Sequence, residues 1–293
     1  MAADNRHLLS LSSIGQTSAP SRWRTEAMRA HRAPRLIFFT KGQGRITIAG
    51  LTSGYTANNL IFLPAGTMYG FEVGPTTFGH MLAIPHAMAG EWPESHVHLR
   101  LRDVHMQKDI ASAFDSLERE LKSDRAGHAR AAHYHLGLLA VLFERALERQ
   151  EGTPPDARAG SAAAQLVAAF TALVERDYAK GRAIADFARA LGVTPTHLTR
   201  CVRRTCGKSA HDLLTDRILY EARRQLSETR RPVAEIAAAL GFSSPAYFSR
   251  AFHAAVGVSP SRFRRQSAET GGISPRPARP FAQELTRGLG NLG

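Results

Sequence analysis

Two stretches near the C-terminus combine basic side chains with short polar ones and contain no acidic residue. Residues 194–208 include three arginines and one lysine, and residues 244–256 include Arg250 and His253. A guanidinium group can bond two guanine atoms at once, and Thr, Ser or Ala side chains let an α-helix come close to base edges in the major groove. These residue types favour contact with duplex DNA; a helical repeat with a solvated basic face is the alternative.

Helical spacing gives each stretch an apolar face and a polar face. The residues predicted to pack inward are Leu198, Cys201, Val202 and Thr205 in the first helix and Phe248, Ala251, Phe252 and Val256 in the second. The residues predicted to contact DNA are Thr196, Thr199, Arg200, Arg203 and Arg204 in the first helix and Ala246, Ser249, Arg250 and His253 in the second.

An internal repeat positions these two helices. Residues 184–207 and 233–257 are similar at an offset of 49–50 residues, so that Leu191-Gly192 recurs as Leu240-Gly241. In each copy a short amphipathic helix ends at a glycine, which can adopt the left-handed conformation that follows a helix. Two copies of one pattern are stronger evidence for a shared structure than either copy alone.

The start of each second helix is marked by a hydroxyl residue followed by proline. Thr194-Pro195 and Ser244-Pro245 provide an N-cap and a first helical residue, which predicts two helix-turn-helix units. Residues 211–226 predict a long helix between the units. Such a connector can hold two helices rigidly apart, and successive major grooves on one face of DNA are ~34 Å apart.

Positive charge is concentrated in the same part of the chain. The protein has 293 residues and a formal net charge of +13, and this length suggests two domains. Residues 160–267 carry 17 Lys or Arg against eight Asp or Glu, whereas residues 1–159 carry 18 against 15. This asymmetry indicates a polyanion-binding module attached to a nearly neutral one, although arginine used only for solubility would give the same balance.

The sequence also indicates where the protein acts. No apolar run approaches the ~20 residues of a membrane span, and the first residues lack a basic segment followed by an apolar core. The two cysteines exclude a disulfide-built fold and fit a reducing cytosol. Cys201 and Cys206 lie five positions apart on one predicted helix, too far apart to bridge. We expect a cytoplasmic protein with no membrane association.

The N-terminal part has the pattern of short strands separated by Gly and Pro turns. Residues 36–39, 45–48, 60–63 and 68–73 are apolar runs or alternate with period two, and 78–84 closes the series. We predict a small barrel or sandwich over residues 21–105, preceded by a flexible polar segment over residues 1–20.

Helical periodicity follows the strands. Ile110, Phe114, Leu117 and Leu121 lie on one helix face, and a second helix is predicted from about His128 to Arg149. The second helix carries a stripe formed by Tyr134, Leu138, Val141 and Leu142. The stripe packs either on the protein's own core or on a second copy in a dimer, with 106–150 as the helical dimerisation region. Residues 151–160 have linker composition, and residues 268–293 predict a disordered tail.

The C-terminal part resembles the AraC/XylS family of transcriptional regulators. The resemblance rests on "IADFARALGVTPTHLTRCVRRTCGKSAHDLLTDRILYEARRQL" and "VAEIAAALGFSSPAYFSRAFHAAVGVSPSRFRRQ". It implies a seven-helix domain over residues 161–267, whose Thr196, Thr199, Arg200, Ala246, Ser249 and Arg250 face base edges. Val202 and Cys201 depart from the family pattern, and these differences affect packing only. In the family, the positions that match Arg217 and Arg223 are usually structural or lie near phosphate.

The N-terminal part is similar to the cupin-like sensor domains of that family, mainly through Pro64-Ala65-Gly66-Thr67-Met68-Tyr69. The fold class implied is α+β with two domains: a cupin-like β-barrel with added helices, and an all-α domain with two helix-turn-helix units. Tyr69 replaces the family's metal-binding His, and Ala33 stands where a second upstream His is expected after His31. The resemblance therefore implies a sensor with no metal and no cofactor, and it favours dimerisation through the stripe on the second helix.

A small-molecule effector should occupy an apolar interior with a few polar anchors. The candidate anchors are Arg24, His31, Arg35, Tyr55, Tyr69 and His80. Arginine together with tyrosine suits an anionic or aromatic effector.

Three hypotheses for function follow. The leading one is a homodimeric, non-enzymatic regulator that binds promoter DNA in response to a small molecule and contacts RNA polymerase if it is an activator. The alternatives are a metal-dependent cupin enzyme with a DNA-binding appendage and a nucleoid-type binder without sensing. His96, His98 and His105 could bind zinc, but no cysteine or well-spaced carboxylate accompanies them.

Overall fold

A computed structural model of the chain describes residues 9–15, 22–149 and 160–269. Antiparallel strands and two long helices form the N-terminal half, and seven α-helices form the described C-terminal half. The predicted two-domain α+β fold is confirmed. The predicted linker lies outside the described residues apart from Gly160, as does the predicted tail apart from Ala268 and Glu269, which end the last helix.

The strands form two sheets. The five-stranded sheet has the order β1 (Ser10–Ile14), β7 (Phe78–Ala83), β2 (Arg35–Lys41), β5 (Asn59–Leu63) and β8 (Val97–Arg100). The three-stranded sheet has the order β4 (Leu51–Thr56), β3 (Gln43–Ile48) and β6 (Tyr69–Phe71). Among the described strands no ladder joins the two sheets, so the predicted barrel or sandwich is an open pair of sheets.

The first strand corrects the prediction of a flexible segment for residues 10–14 only, because residues 1–8 and 16–20 lie outside the described part of the chain. Ser10 to Ile14 pair in antiparallel register with Ala83 to Gly79 of β7, and Ile14 is buried. Three serines make this segment polar overall, yet alternation still gives an edge strand one inward side chain.

Alternating side chains of β2 divide the N-terminal core into two layers. Ile37 and Phe39 point between the sheets and pack with residues such as Phe71. Leu36 and Phe38 point to the opposite face, which packs against the helices. Both faces of this central strand are buried, in agreement with its continuous apolar run.

Two helices, α2 (Val104–Lys122) and α3 (His128–Glu148), cover the outer face of the five-stranded sheet. The Phe114 ring of α2 stacks on Phe38 at 5.3 Å between centroids. On α3 the predicted stripe divides, because Tyr134, Leu138 and Val141 are 67%, 49% and 41% exposed, whereas Leu142 is buried in the core. Leu142 is therefore an intramolecular core residue, and its assignment to a dimer surface is wrong.

The C-terminal helices are α4 (Ala162–Asp177), α5 (Ile184–Ala190), α6 (Pro195–Cys206), α7 (Ala210–Glu228), α8 (Val233–Ala239), α9 (Pro245–Val256) and α10 (Pro260–Glu269). A single 3₁₀ turn, Tyr178–Lys180, follows α4. The pairs α5–α6 and α8–α9 are the predicted helix-turn-helix units. Each has its own apolar core, one shared with α4 and the start of α7, the other shared with the end of α7 and α10.

The N-terminal half packs directly against both helix-turn-helix units. A short helix, α1 (Trp23–Glu26), places Trp23 against Tyr220 of α7 and Phe263 of α10, at centroid distances of 5.6 and 6.2 Å. Met28 and Met68 complete the core of the first unit. These contacts fix how the two halves are arranged.

The β3–β4 turn lies close to α4 of the C-terminal half. A Cβ atom on Gly50 would lie 2.3 Å from Val167 Cγ1 of α4. Only glycine allows this contact at this distance. In the described part of the chain, no helix is both long and apolar enough to cross a membrane.

Candidate functional site

Both helix-turn-helix turns have the local geometry that the repeat predicts. Gly192 and Gly241 have φ of 68° and 79°, in the left-handed region. The Thr194 hydroxyl accepts a hydrogen bond from His197 N, and the Ser244 hydroxyl accepts one from Tyr247 N, each at 3.2 Å. The second helix of each unit therefore begins at a fixed residue, which fixes the direction of its exposed face.

The exposed face of α6 is basic and concave. Leu198, Cys201 and Val202 are buried, while the predicted DNA-contacting residues are exposed, apart from Thr199, which is half-buried. An open depression on this face is lined by Ile184, Pro195, Thr196, Thr199, Arg200, Arg203 and His211. Four of the five predicted residues share this depression, and Arg204 is exposed outside its lining. Sequence analysis missed His211, which comes from the start of α7 and not from the repeat.

The corresponding face of α9 carries less charge. Phe248 and Phe252 are buried, whereas Ala246, Arg250 and His253 are exposed and Ser249 is half-buried. Tyr247 is 53% exposed at the start of the same helix, beside Ala246, and sequence analysis did not select it. An exposed aromatic ring at this position adds apolar area to the face.

The arginines of the two faces are free of acidic partners. Within the described ranges no Asp or Glu oxygen lies within 4.0 Å of Arg200, Arg203, Arg204 or Arg250, and Arg200 contacts only the His197 ring, at 3.0 Å. Lys208 differs, because it pairs with Asp216. Unpaired guanidinium groups on an exposed helix face remain available to an anionic partner.

Arg217 holds the connector α7 against α4. Its side chain is buried, donates to Glu175 at 2.5 and 3.0 Å, and lies 3.9 Å from the centre of the Tyr178 ring. Burial opposes the charge of Arg217, but the hydrogen bonds to Glu175 more than offset it, so its pKa lies above the ordinary value. Arg217 is therefore structural, and α7, 19 residues and roughly 28 Å long, is a rigid spacer between the units.

The candidate effector anchors do not form one group. Tyr55 is buried between the sheets, where its ring stacks on Phe39 at 3.8 Å and its hydroxyl donates to the Glu72 carbonyl. His80 stacks on Phe114 at 5.5 Å, on the helix-covered face of the sheet and away from the interior. Arg24 is exposed and pairs with Glu228 at 4.0 Å. His80 and Arg24 therefore do not line the space between the sheets, which corrects that expectation.

The other three anchors meet where the N-terminal half contacts α7. His31 lies 5.8 Å from the Tyr69 ring, and the buried Arg29 guanidinium lies 4.4 Å above the same ring. Arg35 interacts electrostatically with Tyr69 and Arg29 and, across the interface, with Tyr220 of α7. We call Arg29, His31, Arg35 and Tyr69 the junction cluster. Sequence analysis missed Arg29, which carries no motif and is recognisable only by its burial.

Burial and, to a smaller degree, nearby positive charge set the protonation state of His31 in the junction cluster. Burial lowers the pKa of His31 well below its ordinary value, and the positive charges of Arg35 and Arg29 lower it further. His31 is therefore neutral at pH 7 and can accept as well as donate a hydrogen bond.

The residues present do not fit a metal site at the cupin position. Tyr69 is buried with its hydroxyl directed at Met81 Sδ, 3.5 Å away. Of the histidines weighed for zinc, His98 bonds Asn59 Oδ1 at 2.8 Å. Over residues 9–15, 22–149 and 160–269, no three His, Cys, Asp or Glu side chains are grouped to hold an ion.

Each half of the chain matches a domain of a known family. The AraC-like ligand binding domain matches residues 11–140, and a helix-turn-helix domain matches residues 187–266. The chain belongs to the AraC/XylS family. This AraC/XylS-family chain thus combines a ligand-binding domain with a DNA-binding domain, and the two helix-turn-helix units described above lie in the second.

Individual curated relatives match only part of this chain. The HTH-type transcriptional regulator GlxA of Rhizobium meliloti is 42% identical over 80 residues, which are 27% of this chain and 25% of the relative. The arabinose operon regulatory protein of Escherichia coli is 36% identical over 81 residues, 28% of each chain. The match thus spans about a quarter of the length of these curated relatives. A ToxT crystal structure from Vibrio cholerae covers 88% of this chain and 96% of its own, with 13% identity and a TM-score of 0.44.

Proposed function

We propose that this AraC/XylS-family protein is a sequence-specific, effector-responsive transcription regulator of the cytoplasm. The observation that carries the proposal is the pair of capped helix-turn-helix units that present Arg200 and Arg250 on exposed faces, with no Asp or Glu partner among the described residues. α7 holds the two faces in a fixed relation, as reading of neighbouring major grooves requires. Promoter DNA is the partner we infer, with RNA polymerase as a further one if the protein activates.

We infer that the N-terminal domain senses a small molecule and does not catalyse a reaction. The family assignment supports sensing, and Tyr69 at the cupin metal position supports the absence of metal chemistry. Metal analysis of the purified protein tests this inference, and a stoichiometric metal would favour the enzyme alternative. An effector regulates by binding more tightly to one arrangement of the domains than to another.

We also propose that the protein is a homodimer through α3. Tyr134, Leu138 and Val141 form an exposed apolar strip on the face of that helix that points away from the sheet. Large apolar side chains clustered on one exposed helix face are typical of an interface. A dimer would place the α6 and α9 helices of both chains, four in all, on one operator.

The DNA-binding proposal is tested on selected operator DNA with single substitutions. We expect Arg200→Ala and Arg250→Ala each to cost ~1–3 kcal/mol at one base pair, because a bidentate guanine contact is lost there. Titration against operators mutated one base pair at a time measures this selectivity at fixed salt. Arg189→Ala, on exposed α5 and paired with Asp186, is the matched control.

Two outcomes would contradict the proposal. Equal weakening on every operator would leave only phosphate contact for the two arginines. Equal affinity of the unmodified protein for operator and random DNA at the same salt would favour the nucleoid-type alternative.

A further inference from the structure

The junction cluster contains a buried cation without a counter-charge. Arg29 is 2% exposed, and its guanidinium donates to the carbonyl groups of Thr25 and Ala27 at 2.5 and 3.2 Å. Across the described part of the chain, no carboxylate oxygen lies within 4.0 Å of it. Because an isolated buried charge is costly, such a group normally has an anionic partner.

Arg35 is a second cation of the junction cluster and interacts electrostatically with Arg29. It comes from the start of β2, and its Nη1 atom is buried without any hydrogen-bond partner in the described residues. Burial opposes its charged form, and no described Asp or Glu compensates it. The two guanidinium groups repel each other, and Arg35 Nη1 is a buried donor with no hydrogen-bond partner among the described residues.

The opposing surface of α7 adds positive charge, and its arginines form ion pairs with the nearby acidic residues. Arg217 and Arg224 both contribute to the potential at His31, but they bind the carboxylates of Glu175, Glu221 and Glu228. Arg223 Nε is buried without a partner, with its guanidinium 5.8 Å from the Trp23 ring. These three carboxylates pair with arginines of α7, Glu228 also pairs with Arg24, and within the described residues none of them forms an ion pair with Arg29 or Arg35.

We propose that Arg29 and Arg35 bind the anionic group of the effector, the carboxylate or phosphate of a small organic acid, at the interface between the N-terminal domain and α7. Guanidinium forks bind both oxyanions in a bidentate way. The neutral His31 supplies a further donor, and the Tyr69 ring supplies an apolar surface for the rest of the molecule. The inference deepens the proposed function, because it assigns the effector a charge class and a location.

Location at the interface also explains how binding reaches the DNA-binding domain. An anion held there neutralises cations on both sides, so it favours the docked arrangement over an undocked one in which the arginines are hydrated. An effector confined to the space between the sheets has no such direct path to α7.

The test uses the full chain with three probes: sodium benzoate, inorganic phosphate and the neutral benzamide. We expect benzoate, phosphate or both to titrate in calorimetry and to raise the unfolding temperature, since a ligand that binds only the folded state stabilises it. Benzamide should have neither effect. Arg35→Met should weaken anion binding at least about tenfold, whereas Arg45→Met, exposed on β3 and paired with Glu72, should bind like the unmodified protein.

Stability without ligand separates a binding role from a structural one. If Arg35 exists to bind an anion, Arg35→Met removes an uncompensated charge, and its anion-free unfolding temperature equals or exceeds that of the unmodified protein. If Arg35 is structural, this variant unfolds earlier while its anion response is unchanged, which overturns the inference. Anions bound on α6 or α9 would survive Arg35→Met and also count against it.

A second variant and a second measurement complete the test. If Arg35→Met does not fold, Arg223→Met on α7 should reduce anion affinity in the same way, and unchanged affinity would overturn the inference. Absence of any saturable anion binding overturns it as well. Operator binding is measured on the same samples: sequence-specific binding without an anion response contradicts this inference alone, whereas loss of sequence-specific binding contradicts the proposed function.

Discussion

At the scale of single residues, the protein treats buried arginines in two different ways. Arg217 is surrounded by Glu175, Glu221 and the Tyr178 ring, so its charge is balanced inside the C-terminal domain. Arg29 and Arg35 have no such balance among the described residues. The first arrangement stabilises one fold, and the second leaves binding capacity at an interface.

The burial of His31 beside these positive charges makes the stability of the protein depend on pH. Its pKa in the folded protein lies well below the ordinary 6.5, so the unfolded chain takes up a proton first as pH falls. The stability that comes from keeping His31 neutral is complete above pH ~6.5 and is lost below it, at up to ~1.4 kcal/mol per pH unit. We therefore expect the free energy of unfolding to fall less steeply between pH 6.5 and 5.5 in His31→Gln than in the unmodified protein.

Urea unfolding at a series of pH values measures this difference. His253→Gln, on the exposed face of α9, is the control and should follow the unmodified protein. Parallel curves for His31→Gln and the unmodified protein would show that the junction cluster does not hold His31 neutral.

At the scale of elements, the two turns of the repeat have the same backbone conformation but different surroundings. Gly192 and Gly241 share a left-handed conformation, but a Cβ on Gly192 would meet open space. A Cβ on Gly241 would lie 2.5 Å from the Ala179 carbonyl oxygen and 2.6 Å from Gly181 N. The second unit is thus packed tightly against the chain that follows α4.

This difference predicts that replacing glycine by alanine lowers stability by different amounts in the two turns. Gly192→Ala should cost roughly 1–2 kcal/mol of stability for the left-handed backbone alone. Gly241→Ala should cost a further ~1–3 kcal/mol, because backbone atoms must move to admit the methyl group. Urea unfolding of both variants gives the two free energies, and equal losses would mean that the contact of Gly241 with Ala179 and Gly181 is not as close as described.

The turns were predictable because their signals are local. A left-handed glycine, a hydroxyl cap and a proline lie within four residues of Gly192 and again of Gly241, so no tertiary contact is needed to recognise them. The α3 stripe was only partly predictable, because Leu138 and Leu142 are one turn apart on a helix that is apolar over much of its circumference. Which part faces the sheet depends on packing, and Leu142 lies on that side.

The junction cluster was beyond local inference. His31, Arg35 and Tyr69 were selected by residue type, but the same criterion selected His80 and Arg24, which lie elsewhere. Their grouping depends on tertiary packing, which places Tyr69 beside Arg29 and His31 and brings Arg35 near Tyr220 of α7, at chain separations of about 40 and 185 residues. Sequence periodicity contains no information on contacts at those separations.

At the scale of the whole molecule, the exposed basic faces and the exposed apolar strip lie in different halves. The basic faces of α6 and α9 belong to the C-terminal half, and the apolar strip on α3 belongs to the N-terminal half, on a helix whose other side covers a sheet. The segregation lets one surface bind DNA while another binds a second copy of the chain. Both surfaces lie on elements that are anchored by buried cores.

The dimer proposal predicts a change of mass without a loss of fold. Leu138 is 49% exposed, so Leu138→Glu removes no buried contact within the chain but places a charge in the strip, where desolvation in an interface would be costly. Sedimentation should show a dimer for the unmodified protein and a monomer for Leu138→Glu, with similar unfolding temperatures. Val104→Glu, 57% exposed at the start of α2, is the matched control and should remain dimeric. Leu142→Ala should instead lower stability by ~2–5 kcal/mol, as for other buried leucines. A monomeric unmodified protein, or a Leu138→Glu variant that still dimerises, would remove α3 as the dimer interface, and paired operator half-sites would then bind no more tightly than one.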